Sequence, residues 1–486
     1  MKRPRISVVF LLFAGALSLS ACTREEPSTA TAIHGITVID AVNGIRDHQI
    51  VVFDGDRIIS VADVGEDTPP AGTVIDGRGR FLIPGLWDMH VHLTYDDDFT
   101  PSMPAMFLYY GVTSVRDTGG LLHELEPVIE AMRKPGAHAP RVWFSGPLLD
   151  GRLVVYDGDS RPEIGIANPD PRTARETVDV LVADGVDFIK IYELVEPPVF
   201  DALATAARDH DLPIAAHVPL SMMAARVGPR VDSMEHLRNV ELACAENAAE
   251  LHEARRSAMA DYEPGSGFEL RASLHSLQRV PAIARYDAAR CDTVLQSLRH
   301  TIQVPTLRLN ALPLVAPFTR DDWLPALDLL PRAPRDALSA VTVERLDSPD
   351  DDVDTAFAEW SLKLVGDMNA RHVPIAAGTD TPIGFAIPGY SLHSELEMLV
   401  RAGLSPLEAL GAATSVPPGF FSLDDEMGAI EPGMRADLVM LTANPLDDIS
   451  NTRRIELVVH RGRVKRRDEL ARHLARAANP PQGASP

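Results

Sequence analysis

The segment FLIPGLWDMHVHL, from Phe81 to Leu93, joins an apolar run typical of a strand to three polar side chains at alternating positions. Because Asp88, His90 and His92 alternate with apolar residues, an extended strand directs all three to one face. Two imidazoles and a carboxylate on one face are candidate metal ligands. The same pattern also fits a surface or core pair of histidines, and this segment alone leaves both interpretations open.

A lysine stands within a second apolar run, VDFIKIY, from Val186 to Tyr192. The β-branched and aromatic residues predict a fully buried parallel strand. Since burial of an unpaired ammonium is unfavourable, Lys190 is expected to be paired, neutral or chemically altered. A neutral amine can take up carbon dioxide and become a carbamate that bridges two metal ions. The alternative is a lysine at a strand end whose ammonium extends to solvent.

Three further short apolar runs carry a candidate ligand near their ends: PIAAHV contains His217, SMEHL contains His236, and PIAAGTD ends at Asp380. Singly, each fits a hydrogen-bonded core histidine or an aspartate that caps a helix. Together the runs lie at the C-terminal ends of strands that alternate with helices. Barrel enzymes carry their catalytic residues at that end of the strands.

The alternation predicts an α/β fold in which eight strands close a (β/α)8 TIM-like barrel over residues 81–427. The predicted strands cover 81–92, 112–117, 141–149, 188–192, 213–218, 233–237, 301–309 and 374–380. Short β-branched runs at 33–80 and 428–466 predict a small β-sandwich domain built from both chain ends. Two insertions interrupt the barrel: 239–299 is largely helical and charged, whereas 310–354 is rich in Pro and Asp and is expected to loop over the site.

With these motifs the chain resembles the amidohydrolase superfamily, in particular the imidazolonepropionase-like and Xaa-Pro dipeptidase-like branch with a carboxylated lysine and a binuclear metal site. The resemblance rests on GLWDMHVH from Gly85, GVTSVRDTGG from Gly111, FIKIY, AAHV, MEHL, AGTDT from Ala377 and GAIEPGMRADLVMLTANPL from Gly428. It implies hydrolysis of an amide C–N bond, with small dipeptides of the Xaa-Pro type or N-acyl amino acids as substrates.

The resemblance also implies how two divalent ions are held, with Zn²⁺ as the default. His90, His92 and Asp380 would bind one ion, His217 and His236 the other, and Lys190 would bridge them as a carbamate together with a water or hydroxide. The ions would lower the pKa of that water, and Asp380 would take its proton and deliver it to the leaving amine. The alternatives are a mononuclear cyclic-amide hydrolase or deaminase and a non-catalytic ligand-binding lipoprotein.

Spacing suggests further site residues. Asp88 could orient a histidine ligand by accepting its second N–H, or it could be a polar strand residue at the barrel mouth. Tyr192 could contact the substrate carbonyl or oxyanion, or it could be a packing residue. Arg116 is the candidate for binding a substrate carboxylate, unless it pairs with a neighbouring aspartate. The remaining histidines, among them His275, are interpreted as unconnected to metal.

The N-terminus is typical of a bacterial lipoprotein signal, with basic residues, an apolar stretch and LSAC at its end. Residues 1–21 are predicted to be cleaved, Cys22 to carry lipid, and 22–32 to form a tether. The alternatives are an ordinary cleaved signal and an uncleaved anchor, for which the apolar run is short. This predicts a lipid-anchored protein of the bacterial cell envelope that faces the periplasm, with the outer membrane favoured. An oxidising periplasm permits a disulfide between the two remaining cysteines, Cys244 and Cys291, with two buried free thiols as the alternative.

Composition fits a large enzyme. A chain of 486 residues with 45% hydrophobic residues can bury a barrel core and a smaller domain. The net charge of -23 argues against nucleic acid as a partner. We expect a homo-oligomer, and a flexible tail over 467–486.

Overall fold

A computed structural model describes residues 28–159, 161–262, 265–347 and 352–478. The predicted signal segment and the lipidation site, Cys22, lie outside these ranges. The strands are β1 Thr31–Asp40, β2 Gly44–Asp54, β3 Arg57–Asp63, β4 Thr73–Asp76, β5 Phe81–Pro84, β6 Leu86–Val91, β7 Val112–Asp117, β8 Arg141–Phe144, β9 Leu148–Asp150, β10 Gly165–Ala167, β11 Ile189–Ile191, β12 Ile214–Ala216, β13 Ser233–Glu235, β14 Ile302–Val304, β15 Leu438–Leu441, β16 Ile455–His460 and β17 Arg463–Arg466.

Helices follow most of the parallel strands. They are α1 Met103–Tyr109, α2 Leu122–Arg133, α3 Pro171–Ala183, α4 Pro197–Asp209, α5 Ala224–Val227, α6 Val240–Ala243, α7 Ala248–Ala260, α8 Gly267–Ala284, α9 Ala288–Ser297, α10 Leu307–Asn310, α11 Trp323–Leu327, α12 Arg332–Asp347, α13 Asp352–Asn369, α14 Tyr390–Arg401, α15 Pro406–Ala412 and α16 Arg467–Ala478. Local sequence sets several boundaries: Asp170 caps α3 by accepting from Arg172 N and Thr173 N, and Ser405 forms a capping box at α15.

Among the described residues, none of these helices has both the length and the apolar character that crossing a membrane requires.

Strands from both chain ends form one sheet, in the order β17-β16-β15-β5-β1-β2-β3, with β4 beside β1. β5 was expected to begin the barrel, but it pairs with β1 and with β15 in this sheet. The open end of the sheet turns back, because Ile58 N donates to Met434 O and Ala436 N donates to Asp56 O. Side chains of β1, β2, β5, β15 and β16 share one apolar core. The predicted sandwich is therefore a single curled sheet.

The remaining strands are parallel and form two sheets, β6-β7-β8 and β10-β9-β11-β12-β13-β14. A backbone hydrogen bond from Asp187 N to Phe144 O connects β8 to the segment before β11, so that the two sheets follow one another around a ring. The segment 374–381 completes the ring: Gln303 bridges Ile375 on one side, and Val91 bridges Thr381 on the other. We call this arrangement the parallel ring. It brings the ends of all eight predicted strands to one face.

The two insertions differ from each other and from expectation. The first, 239–299, holds α6 to α9, and a disulfide between Cys244 and Cys291 closes a sequence separation of 47 residues. The second was predicted to loop over the site, yet it contains α11 and α12 and leads into α13. Pro331 directly precedes α12 and Pro334 lies in its first turn, where a missing N–H costs nothing. The tail predicted to be flexible from residue 467 instead begins with α16, which buries Leu470 and Leu474.

Candidate metal centre and active site

Four histidines and one aspartate meet at the face of the parallel ring where its strands end. Asp380 Oδ1 lies 3.3 Å from the Nε2 atoms of both His90 and His92. The ring centroid of His236 is 4.4 Å from that of His90 and 4.7 Å from that of His217. Potential ligand atoms of His90, His236 and Asp380 all lie within 4.8 Å of one another. All these side chains are buried, so the centre is shielded from bulk water.

Each of the four imidazoles is oriented through its Nδ1 atom by a different acceptor. The four pairs are His90 with Glu235 Oε2 at 2.6 Å, His92 with Gly119 O at 3.0 Å, His217 with Glu193 Oε1 at 2.7 Å and His236 with Thr306 Oγ1 at 2.7 Å. Thr306 donates its own hydroxyl proton to Pro305 O, so its oxygen is free to accept. With the Nδ1 proton donated in every case, the lone pair of each neutral ring is on Nε2. The four rings thus have the tautomer that metal ligation requires.

Lys190 is 1% exposed, and its Nζ has no hydrogen-bond partner in the described part of the chain. Burial lowers the pKa of Lys190 to about 8, although Glu235 opposes this shift. The side chain lines the same cavity as the four histidines and Asp380. An amine that is buried, unpartnered and easily deprotonated fits conversion to a carbamate better than it fits a lasting ammonium.

Burial and neighbouring groups determine which side chains of the centre are ionised. Burial favours a neutral carboxyl at Asp380, but the neighbouring His236, His90 and His92 outweigh burial and hold the pKa of Asp380 well below its usual range. Burial lowers the pKa of His217 to about 3, with Lys190 adding to the effect, and it also lowers the pKa of His236 well below the usual value. Burial lowers the pKa of His92 as well, but its contact with Asp380 outweighs burial and raises that pKa. The centre therefore offers an ionised carboxylate at Asp380 and neutral imidazoles at His217 and His236, which is the donor chemistry of a divalent-ion site.

The backbone at the ring face is strained where the ligands lie. His236 and Asp380 have φ values of +59° and +61°, in the left-handed region that non-glycine residues seldom adopt. Such conformations are concentrated at functional sites. Gly378 of the AGTD motif passes so close to β6 that an added Cβ would lie 2.9 Å from His90 Cβ. This close approach allows Asp380 N to donate to His90 O at 2.7 Å and so fixes Asp380 beside the histidines.

Two predicted site residues have other contacts. Asp88 accepts hydrogen bonds from Thr379 N at 3.0 Å and Thr379 Oγ1 at 2.6 Å, and burial raises its pKa to about 7. It anchors the segment that carries Asp380 and is not hydrogen-bonded to a histidine ring. Arg116 is fully buried and donates to Met89 O, Ser233 Oγ and Glu235 Oε1 at 2.7 to 2.9 Å. Because those donors are committed below the cavity, Arg116 is not placed to bind a substrate carboxylate.

The cavity beside the centre has a mixed wall. Tyr192 lies on it with its ring 4.4 Å from that of His217, and burial raises the pKa of Tyr192 well above its usual value, so its phenol is a proton donor. The other residues on the wall are Leu148, Tyr156, Ile164, Ile383 and two arginines, Arg238 and Arg271.

Several functional contacts were missed by sequence reasoning. Glu193 and Glu235 orient two of the imidazoles, and His275, interpreted as unconnected to the site, lies 2.6 Å from Glu193 through its Nε2 atom. One signal was present: Glu235 directly precedes His236, and Glu193 follows Lys190 by three positions. Carboxylates beside strand-end ligands are the usual second partners of metal-bound imidazoles. His275 and Arg271 come from α8, in the first insertion, so no local pattern marks them.

Comparison with known proteins agrees with this geometry. Residues 361–465 match the model of the amidohydrolase family. The chain is 36% identical over 475 residues to an ochratoxinase of Aspergillus niger, covering 91% of this chain and 87% of the relative. It is 24% identical over 451 residues to an imidazolonepropionase of Symbiobacterium thermophilum, covering 87% and 91%. A Xaa-Pro dipeptidase crystallised with methionine has a similar fold, with a TM-score of 0.62 at 20% identity over 90% of this chain and 100% of that one.

Fold, site and relatives together define a hydrolase that acts on carbon–nitrogen bonds. The chain belongs to the amidohydrolase family, whose members generally use divalent metals.

Proposed function

We propose that this protein hydrolyses the amide bond of a small N-acyl amino acid or Xaa-Pro dipeptide at a centre of two divalent ions, with Zn²⁺ as the first candidate. One observation carries the proposal: four buried imidazoles present Nε2 lone pairs beside Asp380 and the unpartnered Nζ of Lys190. In this proposal His90, His92 and Asp380 would hold one ion, His217 and His236 would hold the other, and Lys190, converted to a carbamate, would supply the ligand that they share.

The residues around the ions divide the reaction between them. Bound ions supply a water of lowered pKa and polarise the scissile carbonyl. Asp380, kept ionised by its neighbours, accepts the proton of the attacking water and passes it to the leaving nitrogen. The protonated phenol of Tyr192 is available to donate a hydrogen bond to the carbonyl oxygen as negative charge develops on it. Burial of the whole group strengthens each of these electrostatic contacts.

The substrate class is supported by the relatives and by the cavity. The relatives named above include a Xaa-Pro dipeptidase and an ochratoxinase. The cavity wall combines apolar side chains with two arginines, which suits a molecule with an apolar part and an anionic group.

The proposal extends to the architecture and the location. We take the parallel ring as a closed (β/α)8 barrel and the chain as a homo-oligomer anchored by lipid on Cys22 at the periplasmic face of a bacterial membrane. Replacement of Cys22 by serine removes the thiol that would carry the lipid, so metabolic labelling with a radioactive fatty acid should mark the wild type and not the variant. An unlabelled wild type contradicts the lipid anchor.

The central test combines metal analysis with a substrate screen. Purified protein is assayed against N-acyl amino acids and dipeptides, with and without chelator, and its metal content is measured by elemental analysis. We expect about two ions per chain and activity that chelator abolishes and metal restores. One tight ion with full activity in Lys190→Ala would favour a mononuclear cyclic-amide hydrolase or deaminase. Ligand binding without turnover in metal-replete protein would favour a binding lipoprotein.

A further inference from the structure

We infer that Arg238 and Arg271 bind a carboxylate of the substrate, so that the enzyme requires an amide whose amino-acid part carries a free carboxylate. The inference rests on the proposed amide hydrolysis and defines its substrate further. It also assigns a function to the first insertion, since Arg271 lies on α8. Arg116, the residue that sequence spacing suggests for this contact, is committed to partners below the cavity.

Both arginines reach the wall of the metal cavity, but neither has all of its N–H donors hydrogen-bonded within the described part of the chain. Arg238 follows the ligand His236 by two residues, and the side chains of Arg238 and Arg271 are 16% and 13% exposed. The Nε atom of each guanidinium is buried without a hydrogen-bond partner in the described part of the chain. A buried donor without an acceptor is unfavourable, so these groups are expected to gain a partner when a ligand enters.

The carboxylate nearest to the two arginines, Glu193, already accepts hydrogen bonds from other groups. Glu193 accepts from His217 Nδ1 at 2.7 Å and from His275 Nε2 at 2.6 Å, and Arg271 Nη2 lies 3.1 Å from its Oε1 atom. Arg238 is only in long-range contact with it, at 3.9 Å. Arg238 is therefore the guanidinium most available to a ligand.

The surrounding charges are unbalanced in favour of an anion. Arg238, Arg255, Arg271 and Arg279 surround two carboxylates, Glu193 and Glu241. The pKa of His275 is held well below its usual value, chiefly by burial, so this imidazole adds no charge. Positive charge thus exceeds negative charge beside a largely buried cavity, where a planar carboxylate can pair with a guanidinium fork. In both proposed substrate classes the carboxylate is on the carbon next to the amide nitrogen, close to the bond that is broken.

The test compares acids with their amides in matched variants of the metal-replete protein. The probes are N-acetyl-L-phenylalanine, N-acetyl-L-leucine and glycyl-L-proline, each paired with the carboxamide of the same molecule. We expect the wild type to favour the acids in kcat/KM. Arg238→Gln should raise KM for the acids by roughly 10- to 100-fold, the usual range for a lost hydrogen bond to a charged group. The preference for each acid over its carboxamide, measured as the ratio of their kcat/KM values, should fall accordingly in Arg238→Gln.

Arg256→Gln is the matched control, because Arg256 lies on α7 of the same insertion with an exposed side chain. Thermal unfolding of Arg238→Gln close to that of the wild type shows that the variant is folded. Equal hydrolysis of acids and amides by the wild type would overturn this inference and leave the proposed amide hydrolysis standing. If no probe is hydrolysed, calorimetric titration with the same acids decides: binding that the amides and Arg238→Gln lack supports the inference, and its absence overturns it.

Discussion

At the scale of single residues, Lys190 is the group on which the proposed centre depends most. Replacing it by alanine removes the bridge and leaves two ions to repel each other across the cavity. We expect Lys190→Ala to hold about one ion per chain and to lose at least about a hundredfold in kcat/KM, because even outer partners of metal ligands contribute 10- to 100-fold. Elemental analysis and steady-state kinetics measure both. Lys363→Ala, at an exposed lysine on α13, should match the wild type.

The same residue predicts a pH dependence of reconstitution. Carbon dioxide reacts with the neutral amine, and the pKa of Lys190 is lowered to about 8. The neutral fraction of the Lys190 amine rises with pH below that value and levels off above it. When metal is added back to metal-free protein, the rate at which activity returns should therefore rise about tenfold per pH unit up to about pH 8. Dissolved carbon dioxide is kept constant throughout. Since the pKa of His217 is about 3, this ligand stays neutral across the range. A rate independent of pH contradicts a carbamate.

The positions of His90 and His92 could be predicted from the sequence, because one strand contains the whole pattern. Alternation in β6 placed His90 and His92 on the face that holds the other predicted ligands. The alternation within one strand does not show which side chains on other strands are hydrogen-bond partners. Arg116 and Asp88 are both polar strand residues, yet their hydrogen bonds depend on β13 and on the segment 374–381, which are distant in sequence. Three-dimensional proximity decided which polar residues face substrate.

At the scale of elements, the disulfide joins the two ends of the first insertion, which carries Arg271 and His275 into the site. In the chain-entropy description, closing 47 residues stabilises the fold by about 4 kcal/mol. A Cys244→Ser, Cys291→Ser double variant should therefore unfold at lower denaturant concentration and lose activity before global unfolding. Reductant should affect the wild type in the same way and leave the double variant unchanged. An unaltered midpoint would show that packing of α6 to α9 suffices.

Element prediction failed in the second insertion for a local reason. The Pro and Asp content of 310–354 predicts a loop, but prolines near the first turn are compatible with a helix, as Pro334 in α12 shows. The same local effects explain the tail, where Asp468 and Glu469 favour the first turn of α16 and apolar residues recur at helical spacing. Composition alone therefore predicts neither α12 nor α16.

At the scale of the whole molecule, the six proposed ligands lie between positions 90 and 380, on five of the eight strand positions of the ring. Bound ions would link these strands, so metal should stabilise the native state and not only support catalysis. At a free concentration a thousand times Kd, one site contributes about 4 kcal/mol. Chelated protein should thus unfold at a clearly lower temperature than metal-loaded protein.

The rise in melting temperature on adding metal can be assigned to this centre only if it requires the proposed ligands. His236→Ala removes one imidazole from the ring face, where the pKa of that residue already favours the neutral, metal-binding form. Its melting temperature should respond to added metal less than that of the wild type, whereas His123→Ala, at an exposed histidine distant from the ligands, should keep the full response. Differential scanning calorimetry of the three proteins, each with and without chelator, measures these shifts. An equal response in all three would place the stabilising ion elsewhere and remove the support for a centre that spans the ring.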